Sequence, residues 1–267
     1  MDSAHTLIIA GIRIAINCKH EGLSQALYRK YQPFFTRGNS AFQVKITWDH
    51  TASLIPFITP EISFQKNTIQ LSSAGFTGSG DFARKLGELI LEVANPLDAV
   101  DYFIRVIYAL LSYEAGGIMV HGAGILHNGS GYLFCGHSGS GKTTISRSSV
   151  NEEVLNDDLV VLLPDENLWR MYSTPFWNPT QVVPKQLGAV LTAIYYLIQD
   201  ESVYAEPMKP GQALAELIAN IPIISGNPDH SIGLIERGKE VFRRVPAYRL
   251  HFLPDDSFWR VIDNRSG

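Results

Sequence analysis

Tyr132-Leu133-Phe134-Cys135-Gly136-His137-Ser138-Gly139-Ser140-Gly141-Lys142-Thr143-Thr144 carries the chain from a short apolar run into a glycine-rich turn. Gly136 to Thr143 matches G-x-x-x-x-G-K-[ST] in full. Glycines let the backbone wrap so that successive N–H groups turn inward, toward phosphate oxygens. The motif's lysine, Lys142, then reaches the β- and γ-phosphates, and the Thr143 hydroxyl ligates Mg2+. The motif needs a strand before it and a helix after it. Tyr132 to Cys135 supplies the first, and Thr143 to Ser149 predicts the second, whose N-terminus faces the anion. Gly136, His137, Ser138, Gly139, Ser140, Gly141, Lys142, Thr143 and Thr144 are therefore the expected contacts of a purine nucleoside triphosphate. His137 is a variable position of the motif, without chemistry of its own.

The neighbours of this loop narrow its meaning. Asn156-Asp157-Asp158 opens the apolar run Leu159 to Leu163, and its two carboxylates follow Lys142 by only 15 and 16 residues. In ordinary loops of this type the metal-binding aspartate ends a strand much further along. Here the intervening helix has room for about two turns. Two adjacent carboxylates at the mouth of a strand suit Mg2+ ligation by one and proton acceptance from a hydroxyl by the other. The spacing does not divide those roles between Asp157 and Asp158. Upstream, Ile118-Met119-Val120 leads into His121-Gly122-Ala123-Gly124. A histidine there could orient a phosphate or tune a nearby acid, although alone it reads as a hydrogen-bonded core residue.

Bulk composition bounds the class. Of 267 residues, 45% are hydrophobic and 18% charged, which suits a folded protein of one large or two modest domains. A formal charge of −4 leaves no electrostatic footprint for nucleic acid or an anionic membrane. No run nears ~20 apolar residues, so no spanning helix is expected. Met1-Asp2-Ser3-Ala4-His5 lacks the basic and apolar parts of a secretion signal. Cys18 and Cys135 make no disulfide framework, and Cys135 reads as a small core residue; a reducing cytoplasm is the expected compartment.

Ahead of the loop, Thr6 to Ile16 predicts a strand, Glu21 to Tyr31 a helix stopped by Pro33, and Phe42 to Trp48 an alternating strand. Ser63 to Leu71 reads as a hairpin partner. Asp81 to Val93 predicts a helix, from the stripe Phe82, Leu86, Leu89, Ile90 and Val93 with Gly87 inside it. Asp98 to Tyr113 predicts an amphipathic helix closed by Gly116-Gly117. Strands follow over Ile118 to Leu126 and Tyr132 to Cys135, joined by Asn128-Gly129. Further strands are expected over Val154 to Leu163, Val190 to Leu197 and Arg249 to Phe252, with a helix over Pro210 to Ala219. We place the domain boundary near Gly116. A smaller α+β module over residues 1–116, read as substrate-binding, then precedes a catalytic domain over 117–267.

Phe134 to Ser146, followed soon by Asp157-Asp158, resembles the paired kinase motifs of phosphoenolpyruvate carboxykinase. With Val120-His121-Gly122, whose histidine lies 21 residues before Lys142, it is more similar still to the catalytic domain of HPr kinase/phosphorylase. The resemblance covers Ile118 to Leu163 well. It extends more loosely through Pro175-Phe176-Trp177, Pro184 to Leu197 and Val245 to Leu250. It implies a mixed, strand-rich α/β fold with a carboxykinase-like P-loop kinase core, which uses ATP and Mg2+ to phosphorylate a serine hydroxyl. Carried over by motif, Lys142 and Thr143 hold phosphate and metal, His121 and Lys142 assist catalysis, and Asp157 and Asp158 share metal binding and general-base work. The chain carries no copy of the arginine-glycine signature found near the C-terminus of HPr kinases. Lys185, Arg243 and Arg244 are the nearest cations for a developing phosphoryl charge. That departure, with the unlike N-terminal module, favours a specialised relative modifying a serine on a precursor peptide, lasso peptides included. A peptide or small-protein acceptor is thus the expected partner, with neither nucleic acid nor membrane, and self-association is left open. The rival readings are a kinase of a small molecule such as free serine and a nucleotide-binding regulatory module without transfer activity.

Overall fold

The computed structural model describes residues 4–49, 56–177, 183–224 and 227–266. Residues 1–3, in the opening inspected for a secretion signal, lie outside them. The chain divides into two units, Met1–Leu111 and Ser112–Gly267, each built on a mixed sheet.

In the first unit a tight turn forms where Ala10 and Gly11 both take positive φ, 50° and 80°. It joins β1 (Ala4–Ile9) to β2 (Ile12–Cys18), so the run expected as one strand is two antiparallel ones. Helix α1 (Glu21–Tyr31) follows, capped by the His20 ring, which accepts from the Leu23 N–H. β3 (Phe35–Thr36), β4 (Phe42–Trp48), β5 (Glu61–Gln65), β6 (Thr68–Ser73), β7 (Phe76–Asp81) and β8 (Leu86–Leu91) complete the sheet. Its order is β3-β1-β2-β4-β8-β7-β6-β5. Ser63 to Leu71 covers parts of both β5 and β6 rather than one strand.

Asp81 to Val93, expected as a helix, is the turn after β7 together with strand β8. Part of its apolar set follows a period of two: Gly87, Leu89 and Leu91 face the core while Leu86 and Ile90 turn outward, and ladders to β4 and β7 hold both edges. Helix α2 (Pro96–Glu114) presses its Phe103 onto that face. A Cβ at Gly78 would come within 2.8 Å of the Phe103 ring, and one at Gly87 within 3.4 Å of it. The glycine that weakens a helix is here the space that lets a helix approach a sheet.

In the second unit, β9 (Ile118–His127) and β10 (Ser130–Cys135) form a hairpin whose turn, Asn128-Gly129, has positive φ at both residues. Then come α3 (Lys142–Ser148), β11 (Glu153–Asn156), β12 (Leu159–Asp165), β13 (Leu168–Ser173), β14 (Gly188–Gln199) and β15 (Tyr204–Pro207). The chain ends with α4 (Pro210–Ala219), α5 (Ser231–Phe242), β16 (Ala247–Phe252) and α6 (Phe258–Ser266). Val154 to Leu163, expected as one strand, breaks at Asp157-Asp158 into β11 and β12.

The path β10-β9-β12-β13-β14 closes on itself, because β10 also pairs in parallel with β14. β9 is long enough to serve different neighbours along its length: Ile118 to His121 pair with β12, and Gly122 to His127 with β10. Cys135 lies opposite Gly122, and Leu159 opposite His121. This register alone brings His121, the first residue after β10 and the last residue before β12 to one end of the sheet. Phe134, Tyr195, Leu250, Phe252, Phe258 and Trp259 pack with Ile145 of α3 as the core behind it. Among the described residues, no helix is long and apolar enough to cross a membrane.

Candidate active site

β10 delivers a loop in which Gly136, Gly139 and Gly141 all take positive φ, at 154°, 81° and 111°. At Gly141 glycine is obligatory twice over, since a Cβ there would also sit 2.4 Å from the Phe252 ring. Helix α3, of only seven residues, begins at Lys142. Lys142 is buried, and its Nζ donates to the carbonyls of Gly136 at 2.7 Å and His137 at 3.1 Å. Burial lowers its pKa, while Cys135 and Asp158 oppose that. The ammonium has thus shed much of its water and is held by carbonyl bonds that a phosphate oxygen, a stronger acceptor, can replace. The neighbouring Cys135 thiol is pushed up to about 12 by burial, so it is core rather than nucleophile.

Asp157 and Asp158 occupy the turn between β11 and β12. The Asn156 side chain shapes that turn: its Oδ1 accepts from the N–H of Asp158 at 2.7 Å and of Leu159 at 3.0 Å. Asp157 is 6% exposed. Burial is the chief cause that pushes its carboxyl up to about 6; a backbone hydrogen bond and Arg147 oppose, and the like charge of Asp158 adds to the rise. Asp158 is more open, with Oδ1 3.5 Å from Nε2 of His121. The His121 side chain is 44% exposed, so it is not the core histidine that its local sequence suggests. Its backbone N–H donates to the Asn220 carbonyl at 2.7 Å.

One cleft of about 290 Å³ is lined by His121, Ser138, Gly139, Gly141, Lys142, Thr143, Thr144, Asp157, Asp158 and Gln199. The other expected contacts lie aside from it. Ser140 is buried and a Cβ at Gly136 would collide with it, while His137 is exposed with Nδ1 2.7 Å from the Ser138 carbonyl oxygen. Gln199 is the residue that sequence reading misses. At the end of an apolar run it resembles any solvent-facing amide, but parallel pairing of β14 with β10 carries it to the loop, where Nε2 donates to the Gly139 carbonyl at 2.9 Å. Lys185, Arg243 and Arg244 do not line the cleft. Lys185 is exposed, Arg243 pairs with Glu240, and Arg244 donates to the Glu166 carbonyl at 3.0 Å. A larger groove, of about 890 Å³, crosses the polar face of the first unit's sheet, but it holds neither glycine loop nor acid pair, so size does not locate the chemistry.

Among the described residues, no three His, Cys, Asp or Glu side chains gather to hold a metal ion. Mg2+ asks for less, because it keeps several waters and takes phosphate oxygens beside one or two carboxylates. The Thr143 hydroxyl and the two carboxylates in one cleft fit that donor set, and a buried carboxyl raised to about 6 is a group that a cation would stabilise.

The chain is thus a strand-rich α/β protein with a glycine-loop cleft facing an acid pair. No protein-family model matches it, and no curated protein matches it. Among solved structures it is similar to the HPr(Ser) kinase/phosphatase from Coxiella burnetii, with 10% identity and a TM-score of 0.33, over 55% of this chain and 95% of that one. A likeness that slight leaves the chemistry to rest on the residues themselves.

Proposed function

We propose that the protein is an ATP-dependent kinase that transfers the γ-phosphate to a serine-type hydroxyl of a peptide or small protein. One observation carries this. The Lys142-Thr143 end of the glycine loop and the Asp157-Asp158 turn open into one cleft, with His121 against Asp158. A glycine loop alone would serve any nucleotide-binding protein; a buried carboxyl facing the same space adds a proton acceptor.

In this reading Lys142 exchanges the Gly136 and His137 carbonyls for phosphate oxygens and offsets charge on the γ-phosphate. Thr143 and Asp158 would hold Mg2+, which when bound neutralises charge on the β- and γ-phosphates. Asp157, at about 6, is deprotonated at neutral pH yet basic enough to take the hydroxyl proton. His121 orients Asp158 across their 3.5 Å contact. Positioning and charge stabilisation do most of the catalytic work. The acceptor in this reading is a peptide or small protein rather than free serine, and the first unit is assigned to its recognition. Two buried free thiols suit a reducing cytoplasm.

The test is transfer from γ-labelled ATP with Mg2+ to a serine-containing peptide, to free serine, and with no acceptor. Label on the peptide supports the proposal, and label on free serine alone replaces it with a small-molecule kinase. Wild-type protein that binds nucleotide but moves no label in any arm is a regulatory module instead. Lys142→Ala should lower transfer about 100- to 1000-fold, and unchanged transfer would remove the loop from the mechanism.

A further inference from the structure

We infer that Asn156 is a positioning residue, which aims the Asp157-Asp158 pair by locking its turn to the segment that follows β13; the inference rests on the proposed kinase activity. Asn156 is 1% exposed, so every polar group of its amide must find a partner. Its Oδ1 takes the N–H groups of Asp158 and Leu159, the residues two and three ahead, which closes the backbone around Asp157 in an Asx turn. Its Nδ2 donates the other way, to the Thr174 carbonyl at 2.9 Å, the Phe176 carbonyl at 3.1 Å and the Thr174 hydroxyl at 3.3 Å. Thr174, itself fully buried, donates from Oγ1 to the Leu159 carbonyl at 2.7 Å, which closes the bracket on the far side of the acid pair.

A turn of this kind needs only an acceptor at its first position, which Asp or Ser would supply. The amide is the short side chain that accepts at one end and donates at the other, and this site uses both ends. An apolar residue of similar size would leave two N–H groups and two carbonyls of the bracket without this partner. The Asp157 side chain is buried and borders the cleft, so its backbone sets where its carboxyl points. The bracket therefore does for the acid pair what the Lys142 and Gln199 hydrogen bonds do for the glycine loop.

The experiment compares full-length wild type with Asn156→Ala, Asn156→Ser and Thr174→Val. Asn156→Ala should lower kcat on the order of 100-fold, the usual cost of misplacing a reacting group by about 1 Å. The Kd of a fluorescent ATP analogue measured without Mg2+ should stay within about twofold, because the glycine loop is untouched. Asn156→Ser keeps an acceptor for the turn and should recover part of kcat; Thr174→Val should lose kcat in the same direction, by less. Hydrogen exchange gives a readout free of turnover: the Asp158 and Leu159 amides should lose protection in Asn156→Ala while those of β10 keep it. The inference is overturned if wild type transfers phosphate and Asn156→Ala matches it. It is equally overturned if kcat, nucleotide affinity and Tm fall together in Asn156→Ala with no recovery in Asn156→Ser, the pattern of an ordinary core residue. Wild type without transfer overturns the kinase reading and this inference together, an outcome that is told apart at once.

Discussion

Asp157 is a carboxylate held where water is scarce, and that placement has consequences for both rate and stability. On the proposed kinase reading, with Asp157 as the base and its carboxyl raised to about 6, kcat/KM should rise with pH to a plateau with a midpoint near that value. Asp157→Asn should abolish that limb while sparing nucleotide binding. Stability runs the opposite way with pH. A carboxyl whose folded pKa exceeds the unfolded one stabilises the fold below about 4, and that contribution is lost as pH rises through about 6. Asp157→Asn should therefore stabilise the protein at pH 7 by on the order of 1–2 kcal/mol and do little at pH 4, measured by urea unfolding. An equal gain at both pH values would contradict the desolvation account. That Lys142, Thr143, Asp157 and Asp158 share one cleft was foreshadowed in the sequence, because a glycine-loop pattern and a nearby acid pair restrict residue type and spacing. Gln199 and the role of Asn156 were not, because an amide has no chemical signature until its partners are known.

Elements that carry their own period were legible at once: α1 over Glu21–Tyr31, β4 over Phe42–Trp48 and α4 over Pro210–Ala219 fall where the pattern puts them. Strand β8 was not, since its apolar residues fit a helical period better than the strand period they adopt, with Leu86 and Ile90 turned outward, and the neighbouring strands decide. Helix α5 (Ser231–Phe242) had no counterpart in the sequence reading; within it a Cβ at Gly238 would meet Leu214 of α4 at 2.3 Å, so the glycine serves a close helix crossing. The same logic predicts that Gly78→Ala, pushing against Phe103 of α2, costs about 1–3 kcal/mol in urea unfolding. No loss there would mean that the crossing is loose. A second prediction concerns α6. His127 at the end of β9 sits between Glu152 at 2.9 Å and Asp263 of α6 at 2.8 Å, with its ring stacked 4.0 Å from Trp259. Trp259 in turn donates to the Ser149 hydroxyl at the end of α3. Burial alone would lower the His127 pKa, but hydrogen bonds and the charges of Asp263 and Glu152 outweigh it, and the pKa is raised. Its stabilising contribution is then complete below the ordinary histidine value of about 6.5 and is lost as pH climbs through the folded one. His127→Gln should lower Tm more at pH 6 than at pH 9; an equal drop would make the histidine a packing residue only.

At the scale of the whole molecule, the two units each enclose a core, one around Leu7, Ile14, Phe42 and Phe103 and one around Phe134, Tyr195, Phe252 and Phe258. Calorimetry should resolve two transitions, and Mg2+ with ATP at about 100 times its Kd should raise only one of them, by about 3 kcal/mol. A single transition that moves as a whole would show that the units unfold together. The chain by itself determined what the cleft is made of: a glycine loop, a lysine, a hydroxyl and two acids at a separation too short for more than a two-turn helix. It determined this because each group is required by local chemistry, within a few residues of its partners. Only the tertiary structure decided what those groups face. The parallel pairing of β10 with β14 brought Gln199 to the loop, the β9 register set His121 against Asp158, and the buried Asn156–Thr174 bracket fixed the acid turn. Those contacts join residues far apart in sequence, and strand register, not local periodicity, is the physical quantity that selects them.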